Sequence, residues 1–255
     1  MAEEEPVFET TTGPPRIITA ASLFDGHDAA INVMRRLIQS AGAEVIHLGH
    51  DQSAKAVVDC AIQEDAHGVA LTSYQGGHVE YFTYIRQLLD EAGCEHIRIF
   101  GGGGGTITPP EIKTLHESGI SKIYSPDDGR TMGLMGMIHH LMGIASEVDL
   151  IHPDRLASLD GPVTPEDTAK VGLLLTMSES ADDATFKATL DKCRSTQKDV
   201  PVIGFTGTGG AGKSSLLDEL MLRILRDNPG KKVCLLCVDP TRKRTGGALL
   251  GDRIR

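Results

Sequence analysis

From Arg16 to Ala145, short apolar runs alternate with stretches whose apolar residues recur every three or four positions, and few architectures accept that rhythm. Strands are expected at Ile17 to Ala21, Val45 to Leu48, Gly68 to Ser73, Ile97 to Phe100 and Lys122 to Ser125. Helices are expected between and after them: one with Ala30, Met34, Leu37 and Ala41 at helical spacing, then Ala54 to Gln63, Val79 to Ala92, Glu111 to Ser118 behind two prolines, and a Met-rich Thr131 to Ala145. Five strands alternating with five helices give an α/β domain over residues 16–146, a parallel sheet covered on both faces. Residues 1–15 are polar and end in Gly13-Pro14-Pro15, so a disordered N-terminus is expected there. Residues 147–198 read as a linker with two helices, Thr164 to Ser178 and Asp182 to Thr196. From residue 199 a second α/β domain starts: strand Val200 to Gly204, helix Lys213 to Asp227 and strand Lys232 to Val238. Two strands and one helix do not close a core, so this domain reads as incomplete.

The turn between that strand and helix is Gly207-Thr208-Gly209-Gly210-Ala211-Gly212-Lys213-Ser214, a GxxxxGK[ST] phosphate loop, followed by Ser215. Its glycines let successive N–H groups face one concavity, and the helix that follows adds its positive end. Lys213, the catalytic candidate, would neutralise the outer phosphates of a nucleotide, and the Ser214 hydroxyl would hold Mg²⁺. Asp239 ends the next strand, where a carboxylate either faces that metal or serves as a cap or turn residue. The basic, glycine-rich Thr241 to Gly247 fits a mobile segment meeting phosphates and a solvated loop equally well. These residues specify a nucleoside triphosphate without choosing GTP over ATP.

The first strand runs into Ser22-Leu23-Phe24-Asp25-Gly26-His27-Asp28, at the sheet edge where doubly wound folds bind ligands. Asp25 and His27 fit a metal-ligating imidazole oriented by a carboxylate, and by themselves fit a helix cap beside a surface histidine better. A second Asp-x-His, Asp65-Ala66-His67, precedes its strand and so falls at the opposite edge, where a solvated or capping role is expected. Two glycine-rich exits share the first edge: Thr72-Ser73-Tyr74-Gln75-Gly76-Gly77 and Gly101 to Gly105. Together they permit close approach of something flat or long.

The remaining composition excludes classes. A formal charge of −10 leaves no positive field for bulk nucleic-acid binding. No apolar run approaches the roughly 20 residues that span a bilayer, and the acidic Met1-Ala2-Glu3-Glu4-Glu5 start is unlike a leader, so a cytoplasmic protein without membrane partners is expected. Five cysteines make no disulfide framework, and Cys234 and Cys237 read as buried strand thiols.

The three loops at the ligand edge resemble the cobalamin-binding domain of B12-dependent mutases and methionine synthase, a flavodoxin-like fold with the pattern DxHxxG, SxL, GG. Here the pattern is Asp25-Gly26-His27 with Ala30 in the glycine place, Thr72-Ser73-Tyr74 with Thr for Ser and Tyr for Leu, and Gly101-Gly102-Gly103. The resemblance implies that His27 is the lower ligand of cobalt and that the cofactor tail runs between the second and third loops. Asp25, Gly26, Asp28, Thr72, Ser73, Tyr74, Gln75, Gly76 and Gly101 to Gly103 then form the cofactor site. From Arg16 onward the chain is similar to one subfamily, the fused isobutyryl-CoA mutases, in which this domain precedes a G-protein chaperone. That implies adenosylcobalamin, GTP and Mg²⁺, with Ser214, Asp239 and Asp252 near the metal and Arg255 near the nucleotide. It further implies rearrangement of isobutyryl-CoA to n-butyryl-CoA, GTP hydrolysis that gates cofactor loading, a homodimer, and an acyl-CoA-binding barrel beyond these 255 residues. Two alternatives stand beside it: a non-catalytic corrinoid carrier or sensor with a nucleotide switch, and a P-loop NTPase joined to an unrelated FMN-binding domain.

Overall fold

A computed structural model describes residues 6–194 and 200–237, which fall into two compact units divided at residue 198. In the first unit five parallel strands form one sheet in the order β2-β1-β3-β4-β5: β1 Arg16–Ser22, β2 Glu44–Gln52, β3 Gly68–Thr72, β4 Arg98–Gly102 and β5 Lys122–Tyr124. Because successive side chains point to opposite faces, neighbouring residues of one strand serve different cores. Ile18, Val69 and Ile99 face α2 (Ala54–Gln63), α3 (His78–Glu91) and α4 (Pro109–Glu117), where Val57, Phe82 and Leu115 are fully buried. Ile17, Ala70 and Phe100 face α1 (Asp28–Ser40) and α5 (Pro126–Ser146), meeting Ile38, Ile138 and Met142. Burial on both faces is why the strands read as continuous apolar runs rather than as alternating ones.

The helices begin where short polar residues satisfy their free N–H groups. Ser53 caps α2, and Ser125 with Asp128 and Thr108 with Glu111 form capping boxes at α5 and α4, each followed by proline in the first turn. At Gly133 (φ 68°) α5 breaks its helical path, so the expected Thr131 start lies inside a longer, kinked element.

The sheet order reverses between β1 and β3, which puts the crevice beyond their carboxyl ends. Three further helices, α6 (Pro153–Leu156), α7 (Thr168–Ser180) and α8 (Asp183–Cys193), gather around Leu159, Leu173 and Met177 in the same unit. Gly172 lets α7 approach α2 closely, since a Cβ there would lie 2.9 Å from the Ile62 carbonyl oxygen.

Two expectations need correction here. Residues 6–15 are held rather than disordered: Phe8 packs on the α5 core, Thr10 and Gly13 pair, and Thr11 donates to Asp149 at 2.9 Å. An aromatic anchor and a turn outweigh the polar composition that suggested disorder. In the second unit α9 (Lys213–Asp227) forms as expected, but no strand forms at 200–204 or 232–237; Val202 and Leu236 are exposed, as are Cys234 and Cys237. Among the described residues these two segments have no packed face against which a sheet would be stable.

Candidate functional site

The loop after β1 is tied to the end of β3 at several points. The Ser22 hydroxyl donates to that of Ser73 at 2.9 Å, and the Gln75 side-chain amide donates to the Leu23 carbonyl. Asp25 has a fully buried side chain. One of its oxygens accepts the Tyr74 N–H at 2.7 Å; the other accepts the His27 N–H at 2.9 Å and meets the His27 Nδ1 at 2.8 Å. Burial alone would raise the Asp25 pKa, but these hydrogen bonds outweigh it and hold the carboxyl below its usual range. An ionised carboxylate only accepts, so the Nδ1 carries a proton, and in the neutral ring Nε2 then keeps a free lone pair. That ring is 76% exposed, beside Tyr74 with centroids 5.8 Å apart. The result is an oriented imidazole whose ligating nitrogen is accessible, the arrangement that makes histidine a good metal ligand.

Beside this loop a cavity of about 580 Å³ opens between α1, α5 and the carboxyl ends of β3, β4 and β5. Thr72 and Tyr74 line it, and the Thr72 hydroxyl is buried without a partner in the described protein. An orphaned buried hydroxyl in an otherwise apolar wall suits a ligand with one polar group to offer. The glycines assigned to the cofactor divide by role. A Cβ on Gly101 would strike the Phe82 ring at 2.5 Å, and one on Gly103 would lie 1.9 Å from the Ser73 carbonyl oxygen, so both are also required by packing within the protein. Gly102 meets only the Tyr124 carbonyl at 3.5 Å, while Gly26 and Gly76 meet nothing. Asp28 is the exposed first residue of α1. Sequence reasoning missed the far wall, Met34, Tyr124, Leu134 and Met137. The Met-rich composition of α5 was the available signal, since flexible thioethers adapt to irregular apolar ligands.

The second Asp-x-His lies at the opposite edge, as its place before β3 requires, but it is not solvated. Asp65 and His67 are buried. Asp65 accepts from Arg155 at 2.6 Å and from the Thr176 hydroxyl at 2.7 Å, and Arg16 in turn donates to Thr176 at 2.7 Å. The Arg16 N–H donates to His67 Nδ1 at 2.9 Å, leaving the proton on Nε2, which is 3.2 Å from the Thr10 hydroxyl. Burial, with the Arg16 guanidinium nearby, pushes the His67 pKa down to about 4. Asp65 sits at about 2: burial opposes ionisation, and His96, Arg155 and Thr176 overcome it.

In the second unit the phosphate loop turns on positive φ at Gly210 (76°) and Gly212 (80°), conformations that favour glycine. Lys213 Nζ donates to the carbonyls of Gly207 and Thr208 at 2.8 and 2.9 Å, so the ammonium lies over the loop. Gly209 and Ala211 lie within that loop, and Lys213, Ser214 and Ser215 form the first turn of α9, whose N-terminus has no side-chain cap. Asp239, Asp252 and Arg255 lie outside the described residues.

Fold and site thus define a flavodoxin-like domain that offers an oriented histidine at its ligand edge, followed by a phosphate-loop segment. The B12-binding domain family matches residues 15–123, and the family described as methylmalonyl-CoA mutase-associated GTPase MeaB matches residues 171–255. The chain is 51% identical over 251 residues to a fused isobutyryl-CoA mutase of Geobacillus kaustophilus, covering 94% of this chain and 22% of that protein. It is 51% identical over 243 residues to one of Nocardia farcinica, covering 95% and 22%. Over 115 residues it is 34% identical to the 2-hydroxyisobutanoyl-CoA mutase small subunit of Aquincola tertiaricarbonis, covering 45% of this chain and 82% of that subunit. The chain belongs to the family of B12-binding mutase small subunits, and it spans about a fifth of the length of the fused isobutyryl-CoA mutases to which it is similar.

Proposed function

We propose that residues 16–146 bind cobalamin with His27 as the lower ligand of cobalt, and that residues 199–255 begin a GTPase that gates loading of that cofactor. The observation that carries the reading is the buried Asp25 carboxylate holding Nδ1 of an exposed His27, at the mouth of a cavity with the orphaned Thr72 hydroxyl in its wall. Asp25 fixes the ring, and the Tyr74 N–H fixes Asp25. Gly102 and Gly76 leave their surroundings open for the cofactor, with Ser73, Tyr74 and Gln75 forming the loop between them. In the adenosyl form, bound cobalamin would supply the cobalt–carbon bond whose cleavage starts the radical rearrangement of isobutyryl-CoA to n-butyryl-CoA, and the apolar cavity walls would hold the cofactor tail. Lys213 would neutralise the GTP phosphates, Ser214 would hold Mg²⁺, and Asp239 and Asp252 would complete the metal's surroundings, with Arg255 at the nucleotide. The acyl-CoA would bind a barrel beyond this chain, in a homodimer working in the cytoplasm; the net charge of −10 argues against a nucleic-acid partner.

Titration with adenosylcobalamin, followed by absorption, tests the cofactor reading. The expected product is a base-off, histidine-on spectrum that His27→Ala abolishes. Binding with the cofactor's own base still on cobalt would overturn it. For the nucleotide half, Lys213→Ala in the full-length protein should abolish GTP hydrolysis while mutase turnover with preloaded cofactor persists. Loss of both in a folded variant would contradict the gating role.

A further inference from the structure

Three non-glycine residues have positive φ among the described residues, and two of them are bonded to each other beside the His27 loop. Phe24 (φ 64°) donates its amide to the Asp51 carboxylate (φ 57°) at 2.6 Å. Asp tolerates the left-handed region through its short polar side chain, whereas a bulky aromatic is a genuine outlier there. Burial of the ring does not explain the Phe24 conformation, because the residue is 79% exposed.

The pairing of β2 with β1 explains how Asp51 reaches it. The register steps from Thr19↔His47 to Ala20↔Gly49 and then to Ser22↔Gln52, so β2 carries an extra residue at each step. Gly49 (φ 87°) and Asp51 sit at these two irregularities. Bulges bend a strand and re-aim its side chains, and here the second one presents a carboxylate to the loop of the neighbouring strand. Three consecutive loop residues are thereby held from two sides: Leu23 by Gln75 and Asp25 by the Tyr74 N–H from the β3 end, Phe24 by Asp51 from the β2 end.

We propose that Asp51 is a positioning residue for His27: by holding the Phe24 amide it fixes the left-handed turn that sets Asp25 against the imidazole. The proposal rests on the reading of His27 as the cobalt ligand. Its test uses the full chain and its Asp51→Ala, Phe24→Gly, double and His27→Ala variants. Each, labelled with ¹⁵N-histidine, is titrated with cob(II)alamin, and electron paramagnetic resonance separates the two-line splitting of imidazole ligation from the three-line splitting of the cofactor's own base. Asp51→Ala should weaken binding about tenfold and leave part of the cofactor without the imidazole splitting. Glycine adopts the left-handed turn without a steric penalty. Phe24→Gly should therefore stay near wild type, and adding Asp51→Ala to it should change affinity by no more than about threefold. An Asp51→Ala variant with wild-type affinity and splitting, or a double variant as weak as Asp51→Ala alone, would overturn the proposal. If His27→Ala keeps the imidazole splitting, the cobalt reading itself fails; if His27→Ala loses it and Asp51→Ala does not, only the positioning role fails.

Discussion

The same three-letter pattern, Asp-x-His, occurs at both edges of one sheet with opposite results. At the carboxyl edge Asp25 bonds its own histidine and leaves the ring in solvent. At the amino edge Asp65 turns away to Arg155 and Thr176, and His67 is buried against the Arg16 backbone. The difference comes from what each edge must do. The carboxyl edge opens on a crevice. The amino edge is covered by α6, α7 and the N-terminal segment, and any ionisable group enclosed there needs partners. The pattern supplies the atoms; the edge decides whether they are offered to a ligand or consumed by the fold.

The contrast can be broken at the closed edge first. Asp65→Ala leaves the Arg155 guanidinium largely buried without its carboxylate, and should cost about 3 kcal/mol or more, read from urea unfolding. The variant that still folds should keep cobalamin binding. A cost below about 1 kcal/mol would mean that the pair is solvated and the edge is not closed.

A pH series sharpens the comparison. His67 has a folded pKa of about 4 against an ordinary value of 6.5, so the unfolded chain takes up its proton first as pH falls. Its contribution is complete above pH 6.5 and is lost as pH falls through 4, by roughly 3 kcal/mol in all. His67→Gln should flatten that slope, whatever it does to stability at neutral pH. An unchanged slope would assign the acid sensitivity to other groups.

Much of this was legible in the sequence because the relevant signals are local. Helices α2 and α9 begin and end where the periodicity places them, and β1, β3 and β4 follow from runs buried on both faces. The extension of β2 to Gln52 was not legible: two bulges lengthen it past the apolar run, and a bulge is defined by the partner strand. For the same reason the Asp51 to Phe24 contact leaves no trace in spacing. The burial of His67 escaped because its cover comes from Thr10, Arg16 and the distant helices α6 and α7. The three loops of the open edge were readable as a group, since strand exits in a parallel sheet converge without any information about packing. Met137, on the far wall, depends on how α5 kinks at Gly133.

The two histidines differ in kind: His27 is offered to a ligand, and His67 is consumed by the fold. The decisive measurement is a parallel cobalamin titration of His27→Ala and His67→Gln, each checked for folding, with the histidine-on absorption spectrum as the readout. His27→Ala should lose that spectrum, while His67→Gln should retain it with affinity within about threefold of wild type. Loss of the spectrum in a folded His67→Gln, or its survival in His27→Ala, would contradict the assignment of the open edge as the cobalt site.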